Sequence, residues 1–388
     1  MTTKGKNTKR RNLKPERNHL PQEYQKYQKV FLEQRAQRFP KKRSWDHTID
    51  LKPDAPSSLP GKVYSLTQLE QITLKEFLKK QLEKGYIRPF KSPYATPFFI
   101  KKKSGELWPV QDYRKVNEWT VKNCYPLLLI PELINWIKGA SLFSKFDVWW
   151  GYNNIWIKEG DEWKVAFTTN QGLFEPQVMF FGLTNSPATF QAMMNDIFKD
   201  EIREGWVSIY MDNILIHTEN NVAKHQKYIH QILQKLEEND LYLKPEKCAF
   251  KQQRIEFLGV VLEGGTIQID PSKIKGVADW PALRTVKDIQ AFLGFIGFYC
   301  YFIPNNSNIA CPLINLTKKA MPFHWDSPQF KAFKTIKTLM CQKPILRQPH
   351  YNTPFFLATD ASVYGVGAIL SQKGEPNESR QGVYFFGI

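Results

Sequence analysis

The sequence predicts an α+β fold with an antiparallel sheet, and three observations lead there. Short apolar runs of strand length (residues 96–101, 142–148 and 207–217) are interspersed with helical patterns. They lack the strand–helix–strand rhythm of a parallel sheet. Hydrophobic residues make up 42% of the chain and aromatics 14%, enough for a substantial core, and 388 residues leave room for two or three domains.

Taken in order, residues 1–20 are rich in Lys, Arg, Asn and Thr and nearly free of apolar groups, which reads as a basic disordered tail. A proline-punctuated linker follows over 21–60, with one helical pattern at 22–38. Leu66, Leu69, Leu74, Phe77, Leu78 and Leu82 recur at helical spacing, and Gly85 closes that run. A helix over 185–198 is expected with Asn185 or Ser186 as its cap and Pro187 in its first turn. Residues 223–239 form another amphipathic helix. Beyond Asp270, helical segments at 275–280, 285–302 and 330–342 alternate with proline-containing joints. Residues 353–372 read as a strand, a turn at Gly365-Val366-Gly367 and a second strand.

The charge is strongly basic: 54 Lys+Arg against 37 Asp+Glu, a formal net charge of +17. A field of that sign makes a polyanion the natural partner. Five widely spaced cysteines without a Cys-x-x-Cys pair argue against a zinc site or a disulfide framework and suit a reducing compartment. There is no signal-type apolar segment and no run of about 18 apolar residues, so a soluble intracellular chain without membrane contact is expected, in cytoplasm or nucleus. Nothing in the sequence speaks to the oligomeric state.

Three stretches carry chemistry. Phe143-Ser144-Lys145-Phe146-Asp147 ends an apolar strand in a carboxylate, and Gly151-Tyr152 follow it. Phe181 to Gln191 is a small-residue loop running into a helix. Ile209-Tyr210-Met211-Asp212-Asn213-Ile214 is two apolar strands joined by a turn that presents Asp212. Singly, each is an ordinary turn or hairpin signal. Together, in this order and on a basic chain, they resemble the palm of a reverse transcriptase, and the chemistry of nucleotide addition says why that resemblance turns on carboxylates. In-line attack of a 3′-oxygen on an α-phosphate is stabilised by two metal ions roughly 3.5–4 Å apart. Magnesium takes oxygen ligands, so the protein must supply carboxylates. Asp147 and Asp212 lie on no helix with a partner carboxylate, so a sheet must assemble such a site.

In this order the stretches resemble the palm of a reverse transcriptase, and the chain is similar to those of gypsy-type LTR retrotransposons from about residue 20 to 372. The resemblance implies a right-hand polymerase of fingers, palm and thumb/connection, followed by a truncated RNase H-like α/β segment. Its expected limits are 61–262 for the reverse transcriptase domain, 263–345 for the thumb/connection helices and 346–388 for the RNase H-like part. It implies Asp147 and Asp212 as catalytic metal ligands for Mg2+ (or Mn2+), with Lys102 or Lys103 of the fingers hairpin meeting the triphosphate. Asp112 and Arg114 would position template and nucleotide, and Tyr152 would stack under the sugar. Gly182, Pro187 and Gln191 would line the nascent base pair. The segment 243–248, with Phe257-Leu258-Gly259, matches the palm's end and the grip on the primer. Partners would be an RNA/DNA primer–template and dNTPs.

The sequence departs from the family at several points. Asn213 replaces the usual second aspartate of the hairpin, which removes a formal negative charge from the metal site. Trp108 stands where an arginine normally touches the triphosphate, a contact that tryptophan cannot make. Trp149, Trp156, Cys124, Cys300 and Cys311 stand at further arginine positions, and Leu128 at a proline. Each such change can arise from one C-to-T or G-to-A transition, and so many of one kind suggest a mutated, fungal-like genomic copy. Of the RNase H carboxylates only Asp360 is in place, so it reads as a relic without RNase H activity. The sequence thus carries two expectations: an impaired RNA-directed DNA polymerase, or a catalytically inactive nucleic-acid-binding remnant.

Overall fold

The computed structural model describes residues 20–42, 44–103, 105–126, 137, 139–319, 321–342, 345–347, 354–362, 365–372 and 382–384. Side chains of Lys103 and of residues 345–347, 358, 360–362, 365–372 and 382–384 are not described. The basic tail up to residue 19 and Leu128 lie outside the described residues. The chain divides into two compact units, one drawn from Met1–Leu129, Ser144–Ile216 and Val222–Phe250, the other from Ile130–Phe143, His217–Asn221 and Lys251–Ile388.

In the first unit the N-terminal segment departs from the expected single helix. Gln22–Phe31 is a 3-10 helix with non-helical backbone at Tyr27, and after Leu32 only Glu33–Ala36 (α1) is α-helical. Burial explains this. Tyr24, Tyr27 and Val30 are all buried at a spacing of three, which is the period that aligns side chains on a 3-10 helix. Tyr24 stacks on Phe250 at 5.1 Å.

Helix α2 (Gln68–Glu83) opens with a capping box in which Thr67 and Glu70 bond each other's backbone, and Gly85 follows it at φ 71°. Only Leu74 and Leu78 are buried on it, and Leu69 of the expected apolar face is 64% exposed. Next come β1 (Ile87–Pro89), the hairpin β2 (Thr96–Lys103) and β3 (Glu106–Gln111), and the short helix α3 (Arg114–Trp119). With β5 (Phe167–Thr169) and β6 (Gly172–Pro176) the strands form a sheet of order β1-β6-β5-β2-β3. Its hairpins are antiparallel as expected, whereas β2 meets β5 in parallel.

A second sheet has the order β7-β8-β4-β9, from β4 (Leu142–Asp147), β7 (Val207–Tyr210), β8 (Asn213–Thr218) and β9 (Ala249–Gln252). Helices α4 (Ser186–Ile197), α5 (Lys199–Arg203) and α6 (Val222–Glu238) complete this region. On α6, Ile229, Ile232, Leu233 and Leu236 follow the i, i+3, i+4, i+7 stripe. They share one core with Phe146, Val148, Phe190, Met193 and Met194. Asn185 is the cap residue of α4 by position, but its side chain does not cap it. Its amide instead accepts from Asn123 N–H and donates to the Val121 carbonyl.

In the second unit, β10 (Arg254–Phe257), β11 (Val260–Glu263), β12 (Thr266–Ile269) and β13 (Ile345–Arg347) form an antiparallel sheet in that order. Helices α7 (Pro271–Ala278), α8 (Val286–Phe298), α9 (Asn306–Asn315) and α10 (Ser327–Cys341) lie between β12 and β13 in the chain. Helix α7 begins four residues before its expected start because Asp270 caps it and Pro271 takes its first turn. The last sheet pairs β14 (Phe356–Ser362), β15 (Gly365–Gln372) and β16 (Gly382–Tyr384). Gly365, Val366 and Gly367 are not its turn: they pair with Ser362, Ala361 and Asp360 inside the ladder. Among the described residues no helix is long and apolar enough to cross a membrane.

His47 ties the N-terminal segment to the first unit. Its ring is buried with Nδ1 at 2.9 Å from Thr189 Oγ1, and burial lowers its pKa from 6.5 to about 4. The neutral ring is thus the folded form, and the unfolded chain binds more protons as pH falls below 6.5. This contribution is complete above 6.5 and is lost progressively down to about 4. In urea unfolding, His47 is expected to cost about 2 kcal/mol of stability between pH 7 and pH 5. A His47→Gln variant should lose that part of the pH slope.

Candidate active site

The hairpin β7–β8 pairs Tyr210 with Asn213, which leaves Met211 and Asp212 as a two-residue turn. Met211 has φ 55°, a left-handed conformation that costs a side-chain-bearing residue about 1–2 kcal/mol. Gln191 holds it there. Its Oε1 accepts from Met211 N–H at 2.8 Å, and its Nε2 donates to the Ile209 carbonyl (3.2 Å) and to Asn195 Oδ1 (2.8 Å). Asn195 in turn donates to Tyr125 Oη. Gln191 is 1% exposed, so it positions the turn from beneath and does not face a base pair as expected.

Asp147 ends β4 beside that turn. The N–H of Val148 donates to the Asp212 carbonyl at 2.8 Å, and Lys244 N–H donates to the Asp147 carbonyl at 2.9 Å. The backbone therefore sets the strand end at Asp147 against the hairpin tip at Asp212. Asp147 is buried; its Oδ1 accepts from Lys244 Nζ at 2.7 Å and its Oδ2 from Lys247 Nζ at 3.2 Å. Asp212 Oδ1 accepts from Asn213 Nδ2 at 3.1 Å. Burial first, and the Asp147 charge second, raise the Asp212 carboxyl above its ordinary range. Among the described residues no group of three or more His, Cys, Asp or Glu side chains could hold a metal ion. The protein thus offers two hard oxygen ligands, a donor set that suits Mg2+ or Mn2+ when phosphate oxygens supply the remainder.

Tyr152 lies in a 3-10 turn (Gly151–Asn154), its ring 4.9 Å from Phe181 and edge-on to Phe190 at 5.8 Å. Burial, then the charges of Asp212 and Tyr210, push its phenol up to about 12. Phe181 is 67% exposed beside it, an aromatic surface that the sequence reading left out of the site. The signal was available: two phenylalanines directly before a glycine have no place on a small-residue loop unless one faces outward. Gly182 has φ 102°, and Asn117 clamps its loop by donating to the Gly182 carbonyl and accepting from Thr184 N–H. Pro187, partly buried, occupies the first turn of α4.

In the β2–β3 hairpin Lys101 faces Trp108, Lys102 faces Leu107 and Lys103 faces Glu106. Alternation along a strand then puts Lys101, not Lys102, on the same face as Trp108, which is 52% exposed. Asp112 does not stand free, because Arg114 donates to both its oxygens, at 2.8 and 2.6 Å. Those bonds hold the Asp112 carboxyl below its ordinary range. Trp156 is built into the packing, donating to the Pro40 carbonyl at 2.7 Å with Phe39 edge-on at 4.2 Å. The Trp149 ring lies 5.4 Å from Lys244 Nζ. Asp360 lies on β14 opposite Gly367, apart in sequence from these residues and with its side chain undescribed.

Residues 100–262 match the family model of reverse transcriptase (RNA-dependent DNA polymerase), and residues 325–387 that of the RNase H-like domain found in reverse transcriptase. The Transposon Tf2-7 polyprotein of Schizosaccharomyces pombe is 33% identical over 361 residues, 92% of this chain and 27% of that one. The Tf2-3 polyprotein of the same organism has the same identity and coverage. The chain thus spans about a quarter of the length of these relatives. The solved foamy viral protease-reverse transcriptase dRH in complex with ds DNA has a TM-score of 0.78 at 22% identity. That likeness covers 94% of this chain and 63% of the other. The foamy viral protease-reverse transcriptase in complex with RNA/DNA hybrid gives 0.73 at 21%, covering 93% and 48%. At such identities the likeness shows the fold. The fold is that of reverse transcriptases, and on it a strand end carrying Asp147 meets a hairpin tip carrying Asp212. Residues 100–262 are thus similar to reverse transcriptases, and most of the chain is similar to part of the polyproteins of LTR retrotransposons.

Replacing Gln191 by Leu leaves Met211 N–H and the Ile209 carbonyl without their buried partner. Denaturant unfolding should show a loss of about 2–3 kcal/mol, and an unchanged midpoint would contradict the clamp.

Proposed function

We propose that this chain is an RNA-directed DNA polymerase of a gypsy-type element that extends a primer on an RNA or DNA template with deoxynucleotides. The observation that carries this reading is the Val148–Asp212 backbone bond, which docks the hairpin tip bearing Asp212 on the strand end bearing Asp147. Asp147 and Asp212 would hold Mg2+ (or Mn2+), which when bound supplies charge stabilisation to the attacking and leaving oxygens. Tyr152 and Phe181 offer an aromatic wall for sugar and base. Lys101, with Lys102 and Lys103 in the same hairpin, offers cations to the triphosphate. The net charge of +17 favours a nucleic-acid duplex at long range. The fingers and palm would span residues 61–262, the connection 263–345 and the RNase H-like part the residues beyond.

Asn213 and Trp108 favour an impaired polymerase, and with them a second reading in which the chain binds nucleic acid without chemistry. The transition-type replacements at Trp108, Trp149, Trp156, Cys124, Cys300 and Cys311 support a mutated genomic copy. Primer extension on poly(rA)–oligo(dT) with magnesium separates the readings. The Asn213→Asp chain is expected to extend about a hundredfold faster than the unaltered one, since a restored ligand acts on the several kcal/mol that metal ions supply. Equal rates would remove Asn213 as the lesion. If neither chain extends, while both bind the duplex with log K falling against log salt, the binding reading holds.

A further inference from the structure

Asp147 does not present an open carboxylate: each of its oxygens carries an ammonium, Lys244 on Oδ1 and Lys247 on Oδ2. Lys244 is fixed from three sides. Its side chain is 17% exposed, its backbone N–H is bonded to the Asp147 carbonyl, and its Nζ faces the Trp149 ring. Lys247 ends the 3-10 turn Pro245–Lys247, with its N–H bonded to the Lys244 carbonyl and its side chain half exposed. The rigid turn therefore presents both lysines to one carboxylate.

The charges decide what this arrangement does. Asp147 and Asp212 contribute two negative charges, Lys244 and Lys247 two positive ones, and position 213 contributes none because it is an amide. The cluster is formally neutral before any ion arrives; with aspartate at 213 it would be negative. A free divalent cation approaching Asp147 must displace an ammonium and gains no net attraction in return. A cation that arrives on a triphosphate brings its own negative charge, and the phosphate oxygens give both ammoniums new partners.

We propose that Lys244 and Lys247 are internal counter-ions that close the Asp147–Asp212 site to free divalent cations and admit a metal ion only together with a nucleotide. This rests on the reading of Asp147 and Asp212 as the metal-holding pair. It also assigns weak metal holding in this chain to the lysines as much as to Asn213. Removing lysine charge should therefore restore what the missing carboxylate took away.

The test is Mn2+ binding to the full chain without nucleotide, read from the electron paramagnetic resonance signal of free Mn2+ at low salt. Lys244→Met with Lys247→Met keeps the aliphatic stems and deletes both charges. This variant should bind Mn2+ at least about tenfold tighter than the unaltered chain, the order expected of one displaced unit charge near a partly buried site. Asn213→Asp should tighten binding to a similar degree. The gain should vanish when Asp147→Asn is added, and dTTP should tighten Mn2+ binding more in the unaltered chain than in the methionine variant. Affinity unmoved by the methionines, or a gain that survives Asp147→Asn, overturns the proposal. Lys247→Met alone, at a half-exposed side chain, makes the same test at about half the logarithmic shift if the double variant lacks a cooperative melt. Mn2+ binding as described without primer extension contradicts the polymerase reading alone; extension with unmoved Mn2+ affinity contradicts the lysine assignment alone.

Discussion

The site depends on one backbone hydrogen bond, from Val148 N–H to the Asp212 carbonyl at 2.8 Å. It docks the tip of the β7–β8 hairpin onto the end of β4, and so sets the separation of two carboxylates 65 positions apart in the chain. Everything nearby serves to keep that contact in register. Gln191 holds the left-handed Met211 from beneath, the α6 stripe packs the underlying core, and the 244–248 segment closes over Asp147. A strained tip residue persists only where its surroundings over-determine it, and here the surroundings are a buried glutamine with both ends of its amide bonded. The like charge of Asp147 and partial burial together raise the Asp212 carboxyl, which is the condition that a cation would relieve.

The sheet-borne carboxylates were legible because strand signals are local. An apolar run ending in Asp, and two apolar runs around Met-Asp, each announce themselves within eight residues. The helices of the palm were legible for the same reason, α6 to within a residue of both ends. What escaped was whatever the tertiary environment decides. The N-terminal segment has the apolar content of a helix, but the palm core takes Tyr24, Tyr27 and Val30 at a period of three and bends it to 3-10 geometry. Gln191 and Asn185 looked like a base-facing residue and a cap. Their partners lie about twenty and sixty residues away, which no local pattern records. The face of the fingers hairpin that carries Trp108 follows from the register of β2 against β3, which composition does not record. The RNase H-like strands were placed one turn too late, since glycines that suggested a bend sit inside the ladder.

Asn213 bears on the charge beside Asp212 more than on the shape of the hairpin. Its amide keeps the Tyr210 pairing and bonds Asp212, and an aspartate of nearly the same shape at this strand position would add a negative charge. Two of the tryptophans sit in opposite settings. Trp156 is absorbed by the packing with its N–H bonded, whereas Trp108 projects outward as exposed apolar surface on the β2–β3 hairpin.

The most direct measurement is a crystal structure with Mn2+, primer–template and a non-hydrolysable deoxynucleotide, read for anomalous density. The account predicts a peak bound by side-chain oxygens of Asp147 and Asp212, with Lys244 released from Asp147. A nucleotide bound with no ion at that pair, and both lysines still on Asp147, would contradict it.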